Sequence, residues 1–267
     1  MRSIQQLSNL ESRVALIVGG AGHVGRAAAE ALMELGASTV ILDLDHERCR
    51  QCAAELSTAT GGRAVGQACD LADEQATRDA VRSAVAVWGR LDIVVHCAAY
   101  VGTTPVPGWV APFAQQTVAA WDAALRVSLT SAFVIAQEAA APLAASGHGA
   151  MVLVGSTYGV VGPDMRLYTD TAMGNPAGYG AAKGGLLQLS RYLATTLAPA
   201  IRVNLLSPGG IERAQPAVFQ ERYVSRTPLG RMAAEEDMKG AVAYLASDLS
   251  AYVTGQNLIV DGGWTAW

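Results

Sequence analysis

Tyr179-Gly180-Ala181-Ala182-Lys183 sets a phenol and an ammonium four residues apart. On a helix that spacing puts both on one face. A phenol titrates at about pH 10 and is a poor base at neutrality, and a neighbouring ammonium favours its phenolate. Such a pair is suited to exchange a proton with an alcohol or carbonyl. Ser156 follows the short apolar run 150–154 (AMVLV), which reads as a strand, so its hydroxyl faces the same end of a sheet. A surface Tyr and Lys at this spacing are common, so the pair needs a second feature to give it meaning.

That feature is Gly19-Gly20-Ala21-Gly22-His23-Val24-Gly25. It holds both G-x-G-x-x-G and G-x-x-G-x-x-G between a predicted strand and a predicted helix. Glycines allow the tight turn and the close approach of backbone to a pyrophosphate, which the helix N-terminus then holds. Asp43 ends the second strand, and an acid there accepts hydrogen bonds from ribose hydroxyls and repels a 2′-phosphate. No basic residue follows in Leu44-Asp45-His46, which favours NAD(H) over NADP(H). Asp43 or Asp45 could alternatively cap the next helix. Asp70, with Leu71 after it, follows the third strand and either borders the adenine or caps a turn.

These residues need a scaffold. Strands are predicted at 13–18, 38–42, 63–68, 91–96, 150–154, 201–206 and 257–260. Helices are predicted at 24–35, 46–60, 73–88, 117–146, 177–197 and 235–247, with irregular stretches at 100–113 and 157–176 and a loop with room for one short helix at 209–230. Strict alternation without a composition break implies one α/β domain over 1–267, a doubly wound parallel sheet with helices on both faces. The ligand then sits at the carboxyl ends of the strands, where strand order reverses.

Composition narrows the function class. With 267 residues, 19 Lys+Arg against 23 Asp+Glu and a net charge of −4, a basic nucleic-acid groove is not supported. A hydrophobic share of 51% against 16% charged residues is too apolar for a disordered chain. No unbroken apolar run reaches the roughly 18 residues of a membrane span. Residues 1–12 are polar and show no secretory h-region, so a cytoplasmic location is expected. Cys49 and Cys52 form one CxxC, with neither a second pair nor a histidine at zinc-finger spacing. The four cysteines, which include Cys69 and Cys97, therefore read as reduced thiols and no metal is expected.

Taken in order, the glycine loop, Asp43, Asp70, Ser156, Tyr179-x-x-x-Lys183, and Pro208-Gly209 after Arg202-Val203-Asn204 resemble the single-domain branch of the short-chain dehydrogenases/reductases. Pro228-Leu229-Gly230-Arg231, Leu245-Ala246-Ser247-Asp248, Thr254-Gly255 and Val260-Asp261-Gly262-Gly263 continue the likeness to the C-terminus. The resemblance implies an NAD(H)-dependent oxidoreductase in which Tyr179 is the general acid/base. Lys183 would hold the nicotinamide ribose and depress the Tyr179 pKa, and Ser156 would bind the substrate oxygen. It implies cofactor contacts at Gly19, Gly22, His23, Val24, Gly25, Asp43, Leu44, Asp70, Leu71, Cys97, Ala98, Ala99, Pro208, Gly209 and Ile211. It also implies a homotetramer.

The chain departs from the family pattern in several places. His23 stands at a family glycine, and His96-Cys97-Ala98-Ala99 replaces Asn-Asn-Ala-Gly. Ser128 replaces the asparagine of a proton relay, and Arg213 replaces a threonine. Ser156 and Tyr179 lie 23 positions apart, about ten more than is usual in the family. The added segment resembles oxidoreductases of bacterial surface-sugar and flagellin-sugar biosynthesis. Its Tyr158, Asp164, Arg166, Tyr168 and Asn175 suit a hydroxyl-rich or anionic ligand, which points to a sugar or sugar derivative; the alternative is a structural flap or an interface. Two other functions compete. One is a sugar-nucleotide epimerase or dehydratase that recycles its NAD. The other is a catalytically inactive NAD-binding sensor or scaffold, which Ser128, His23 and Arg213 would favour.

Overall fold

In the computed structural model, which describes residues 1–101 and 106–267, one seven-stranded parallel sheet carries the whole chain in the order β3-β2-β1-β4-β5-β6-β7. The strands are β1 (Val14–Val18), β2 (Ser38–Asp43), β3 (Ala64–Ala68), β4 (Ile93–His96), β5 (Gly149–Val154), β6 (Ile201–Pro208) and β7 (Asn257–Val260). They are short and rich in β-branched residues, as strands buried on both faces are. Alternation sorts their side chains. Leu16, Val18, Val94, Met151 and Leu205 face one core, and Ala15, Ile17, Val95, Val152 and Leu206 face the other.

The first core is covered by α4 (Glu74–Trp88), α6 (Ser131–Ala145) and α7 (Ala177–Leu197). The second is covered by α2 (His23–Glu34), α3 (His46–Thr60) and α9 (Lys239–Ala246). Local chemistry sets the helix ends. Asp45 caps α3 by accepting from the Arg48 amide at 2.9 Å, and Asp73 caps α4 by accepting from Ala76 at 2.9 Å. Gly61 and Gly89 end these two helices at φ +71°.

The stretch after β6 contains the one short helix allowed for it, α8 (Ala217–Val224). The elements differ from expectation in two places. A short helix, α1 (Ile4–Ser8), opens the chain, closed by a Ser3–Gln6 capping box. The long helix divides into α5 (Val118–Leu125) and α6 through one π-helical turn at Arg126–Thr130. The two stay continuous, and Val118–Ala145 is 28 residues long and contains an 18-residue window with a mean hydropathy of 1.4. That corrects the reading that no segment is long enough to cross a bilayer, because scattered polar residues interrupt the run without lowering its average below such a span. Here the helix lies against the sheet, and Arg78 and Arg82 of α4 both pair with its Glu138.

Candidate active site

The strand order reverses between β1 and β4, which opens a crevice at their carboxyl ends. One side of it is the glycine loop. Gly19 has φ +73°, and a Cβ there would come within 2.7 Å of the Ala98 Cα. A Cβ at Gly25 would overlap the Gly19 carbonyl oxygen. Backbone therefore packs on backbone, and α2 starts at His23 behind Gly22, which offers no side-chain cap. The first-turn amides of His23, Val24 and Gly25 are thus a ready anion site. The Cys97 amide donates to Val18 at 2.8 Å, which seats Cys97-Ala98-Ala99 beside that loop. Burial pushes the Cys97 thiol up to about 12, so it stays neutral.

Asp43 is held by two amides, Ala21 at 3.1 Å and Leu44 at 2.8 Å, one on each carboxylate oxygen. Each oxygen keeps a lone pair for a ligand hydroxyl. The Leu44 side chain beside it is 56% exposed, an apolar surface for a flat base. Asp70 accepts from the Ala72 amide at 2.9 Å and so caps the turn before α4, while Leu71 packs on the core. Arg48, beyond the residues weighed in the sequence, reaches the Ala21 carbonyl at 3.4 Å on the same corner as Asp43. On the far side of the crevice, Gly209 donates to Val260 at 2.9 Å, a Cβ on it would meet the Asp261 Cα at 2.8 Å, and Ile211 bridges Ala233. The chain after Pro208 is thereby pinned along the crevice. These residues fit a dinucleotide along their whole length.

The proton-handling groups meet across the crevice. Tyr179 lies in the first turn of α7, close enough to Ser156 for that hydroxyl to favour its phenolate. The Ser156 hydroxyl also accepts from the Tyr158 amide at 3.1 Å, which fixes its direction. Lys183, only 2% exposed, donates to the Val154 carbonyl at 2.7 Å, and its nitrogen lies 5.8 Å from the Tyr179 ring centre.

Burial pulls the Lys183 ammonium down to about 8. Tyr179 is displaced upward, and burial is the dominant cause; the Ser156 hydroxyl and the charge of Arg213 oppose it without prevailing. A protonated phenol is ready to act as an acid. Ketone reduction should thus hold up at neutral pH and fall as Tyr179 loses its proton, while alcohol oxidation, which needs phenolate, should rise with pH into the alkaline range. Profiles of kcat/KM against pH in both directions check this, and equal profiles would contradict it.

Ser128 sits in the π-helical turn and accepts from the Tyr100 amide at 2.9 Å. Its hydroxyl holds the loop after β4, so the structure ties it to that backbone rather than to Lys183. His96 is fully buried in the neighbouring strand. Its Nε2 is 2.9 Å from the Ser131 hydroxyl, whose own proton goes to the Val127 carbonyl at 2.6 Å. The ring must therefore donate through Nε2, leaving Nδ1 as the unprotonated acceptor. Burial and the Lys183 charge hold it neutral, down to about 3.

The inserted segment turns out to be braced from within. Asp164 pairs with Arg166 at 2.9 Å and with Arg226 of the segment after β6. Arg166 is 82% exposed and faces outward. Tyr168 is buried against Phe219 and donates to the Tyr158 hydroxyl at 3.1 Å. The half-buried Asn175 has no side-chain partner among the described residues. Of the five polar residues singled out in the insert, Tyr158 lies nearest the chemistry, two residues from Ser156.

Sequence reasoning missed a wall of Phe219, Tyr223, Met232 and Trp264 against the insert. The spacing Phe219-x-x-x-Tyr223 was a visible helical signal. Tyr223 accepts from the Gly210 amide at 2.5 Å, which ties this wall to the loop after β6. Also missed was Glu235, which takes His23 Nδ1 at 3.4 Å and Arg213 Nε at 3.3 Å on one oxygen and so links the two sides of the crevice. Of the loop at 100–113, residues 102–105 lie outside the described residues.

A family model described as enoyl-(acyl carrier protein) reductase matches residues 19–265. The chain belongs to the single-domain short-chain dehydrogenases/reductases and is an oxidoreductase acting on alcohols. It is 35% identical over 259 residues to cis-4-hydroxycyclohexanecarboxylate dehydrogenase of Sinomonas cyclohexanicum, covering 95% of this chain and 97% of that one. It is 33% identical over 264 residues to L-rhamnose 1-dehydrogenase (NAD(P)(+)) of Sphingomonas sp. (strain SKA58), covering 95% and 96%. Among solved structures, NADPH-dependent 3-quinuclidinone reductase from Rhodotorula rubra superposes with a TM-score of 0.87 at 26% identity, covering 100% of this chain and 96% of that one.

Proposed function

We propose that the enzyme interconverts a secondary alcohol and a ketone carried on a ring, a sugar derivative or a carbocycle, with NAD(H) as cofactor and Ser156, Tyr179 and Lys183 as its catalytic set. One observation carries the reading: Ser156 and the Tyr179 phenol, with the Lys183 nitrogen 5.8 Å from the phenol ring centre, face the glycine loop and Asp43 across one crevice. The bound nicotinamide supplies or accepts the hydride. Gly19, Gly22, His23, Val24 and Gly25 take the diphosphate, and Asp43 and Leu44 take the adenosine end, with Asp70 and Leu71 bordering the adenine. Cys97, Ala98, Ala99, Pro208, Gly209 and Ile211 line the nicotinamide end, and Tyr179 and Lys183 hold its ribose. Ser156 orients the substrate oxygen and Tyr179 exchanges the proton with it.

Relatives named for a cyclohexane acid and for a sugar support a ring-borne alcohol. The Asp43 carboxylate supports NAD(H); Arg48 is the one group on that corner that would assist a 2′-phosphate. A carboxylate facing a phosphate costs several kcal/mol, so kcat/KM for NAD should exceed that for NADP by about a hundredfold. Asp43→Ser should narrow the gap, and a preference for NADP in the unmodified enzyme would overturn the cofactor assignment. The reading treats 1–267 as one domain, because a single sheet holds every site residue. It also places a homotetramer in the cytoplasm. The exposed Val118, Trp121 and Phe133 and the apolar C-terminal Trp267 support self-association. Light scattering giving a monomer mass would refute it.

A further inference from the structure

We infer that Arg213 binds a negatively charged group on the substrate, a carboxylate or sulfonate held on the ring at a distance from the reacting carbon. The inference rests on the oxidoreductase reading above. Arg213 lies on the loop that follows β6, between the glycine loop and Tyr179. The loop is anchored: Ile211 bridges Ala233, the Glu212 amide donates to Ala233 at 2.8 Å, and the Arg213 amide donates to the Gln215 side chain at 2.6 Å. The side chain is held too, but only by Nε, which donates to Glu235 at 3.3 Å. Its two terminal nitrogens have no partner among the described residues, although the side chain is 41% exposed. A guanidinium fixed at Nε presents its outer edge as a planar fork, the geometry that takes a carboxylate or sulfonate through two parallel hydrogen bonds.

The position favours substrate over cofactor. The diphosphate site is the amide-rich start of α2 at His23, and Glu235 lies between His23 and Arg213. An anion on the His23 side meets the Glu235 carboxylate, whereas the two terminal nitrogens of Arg213 carry no carboxylate among the described residues. The Arg213 charge favours the Tyr179 phenolate, so the two groups lie within electrostatic reach of each other. Tyr158, Tyr168, Tyr223 and Trp264 pack together beside the loop after β6, and the charged groups of the insert, Asp164 with Arg166 and Arg226, are already paired. A ring with one anionic end therefore matches both the aromatic cluster and the open edge of the Arg213 guanidinium.

The test uses full-length enzyme with NAD and matched secondary alcohols: 4-hydroxycyclohexanecarboxylate against cyclohexanol, and 3-hydroxycyclohexanecarboxylate against the same neutral alcohol. The readout is the ratio of kcat/KM, charged over neutral. The ratio should be well above one in the unmodified enzyme. Arg213→Gln should lower it about 30-fold, mainly through KM, and Arg213→Lys should restore part of it. An unchanged ratio in Arg213→Gln overturns the assignment, as does a change confined to NADH affinity, which would move Arg213 to the diphosphate. The parent reading fails separately: absence of hydride transfer with every alcohol of the set, despite NADH binding by fluorescence, sinks both.

Discussion

Tyr179→Phe should lower kcat by about a thousandfold or more while leaving the NADH dissociation constant within about threefold. The substitution removes one oxygen and keeps the ring, so the packing of Tyr179 against Tyr100, Trp109 and Ala124 survives. The oxygen lost is the one beside Ser156, at the point where a substrate oxygen must exchange its proton. Hydride transfer to a carbonyl without a proton donor leaves an alkoxide in a buried site, and that is where the barrier rises. Measured kcat and NADH fluorescence titration decide it; retained turnover would remove Tyr179 from the chemistry.

Lys183→Met should have two effects of opposite sign. Turnover should fall about a hundredfold, because the cation behind the phenol and one anchor of the nicotinamide ribose are both removed. Stability without cofactor should rise, on the order of 1–3 kcal/mol at neutral pH. Lys183 is 2% exposed, its one hydrogen bond is to a neutral carbonyl, and burial lowers its pKa to about 8. A depressed lysine binds its proton more weakly folded than unfolded, so its charge costs stability below pH 8, and that cost disappears as pH rises toward the unfolded value of about 10.4. Methionine fills nearly the same volume without the charge. Thermal melts at pH 7 and pH 9.5 check the sign: the gain should be larger at pH 7. A variant that melts lower at both values contradicts the account of Lys183 as a strained charge kept for function.

The parts legible in the sequence are those whose neighbours in space are also neighbours in the chain. Gly19 to Gly25 sits between its own strand and helix, Asp43 closes the next strand, and Tyr179 and Lys183 share one helix face. What stayed hidden depends on distant pairs or on burial. The Glu235 bridge from His23 to Arg213 joins residues some two hundred positions apart, so the departures at His23 and Arg213 looked like losses when they are one linked structure. The upward displacement of Tyr179 follows from packing that no spacing reveals. Asp164 and Arg166 read as ligand groups because their polarity is visible, whereas their mutual pairing and the contact with Arg226 are not. Ser128 matched a relay position by alignment alone, and the π-helical turn gives its hydroxyl to the Tyr100 amide.

The central claim is stoichiometric hydride transfer at the Ser156–Tyr179 pair, which separates this enzyme from one that recycles its NAD and from one that only binds it. The direct measurement is reduction of 4-oxocyclohexanecarboxylate and cyclohexanone with NADH stereospecifically deuterated at C4 of the nicotinamide, using each C4 label in turn. One NADH should be consumed per alcohol formed, with deuterium from one of the two labels appearing on the carbinol carbon. Alcohol without that label, conversion without net loss of NADH, or NADH binding without any conversion would contradict the account.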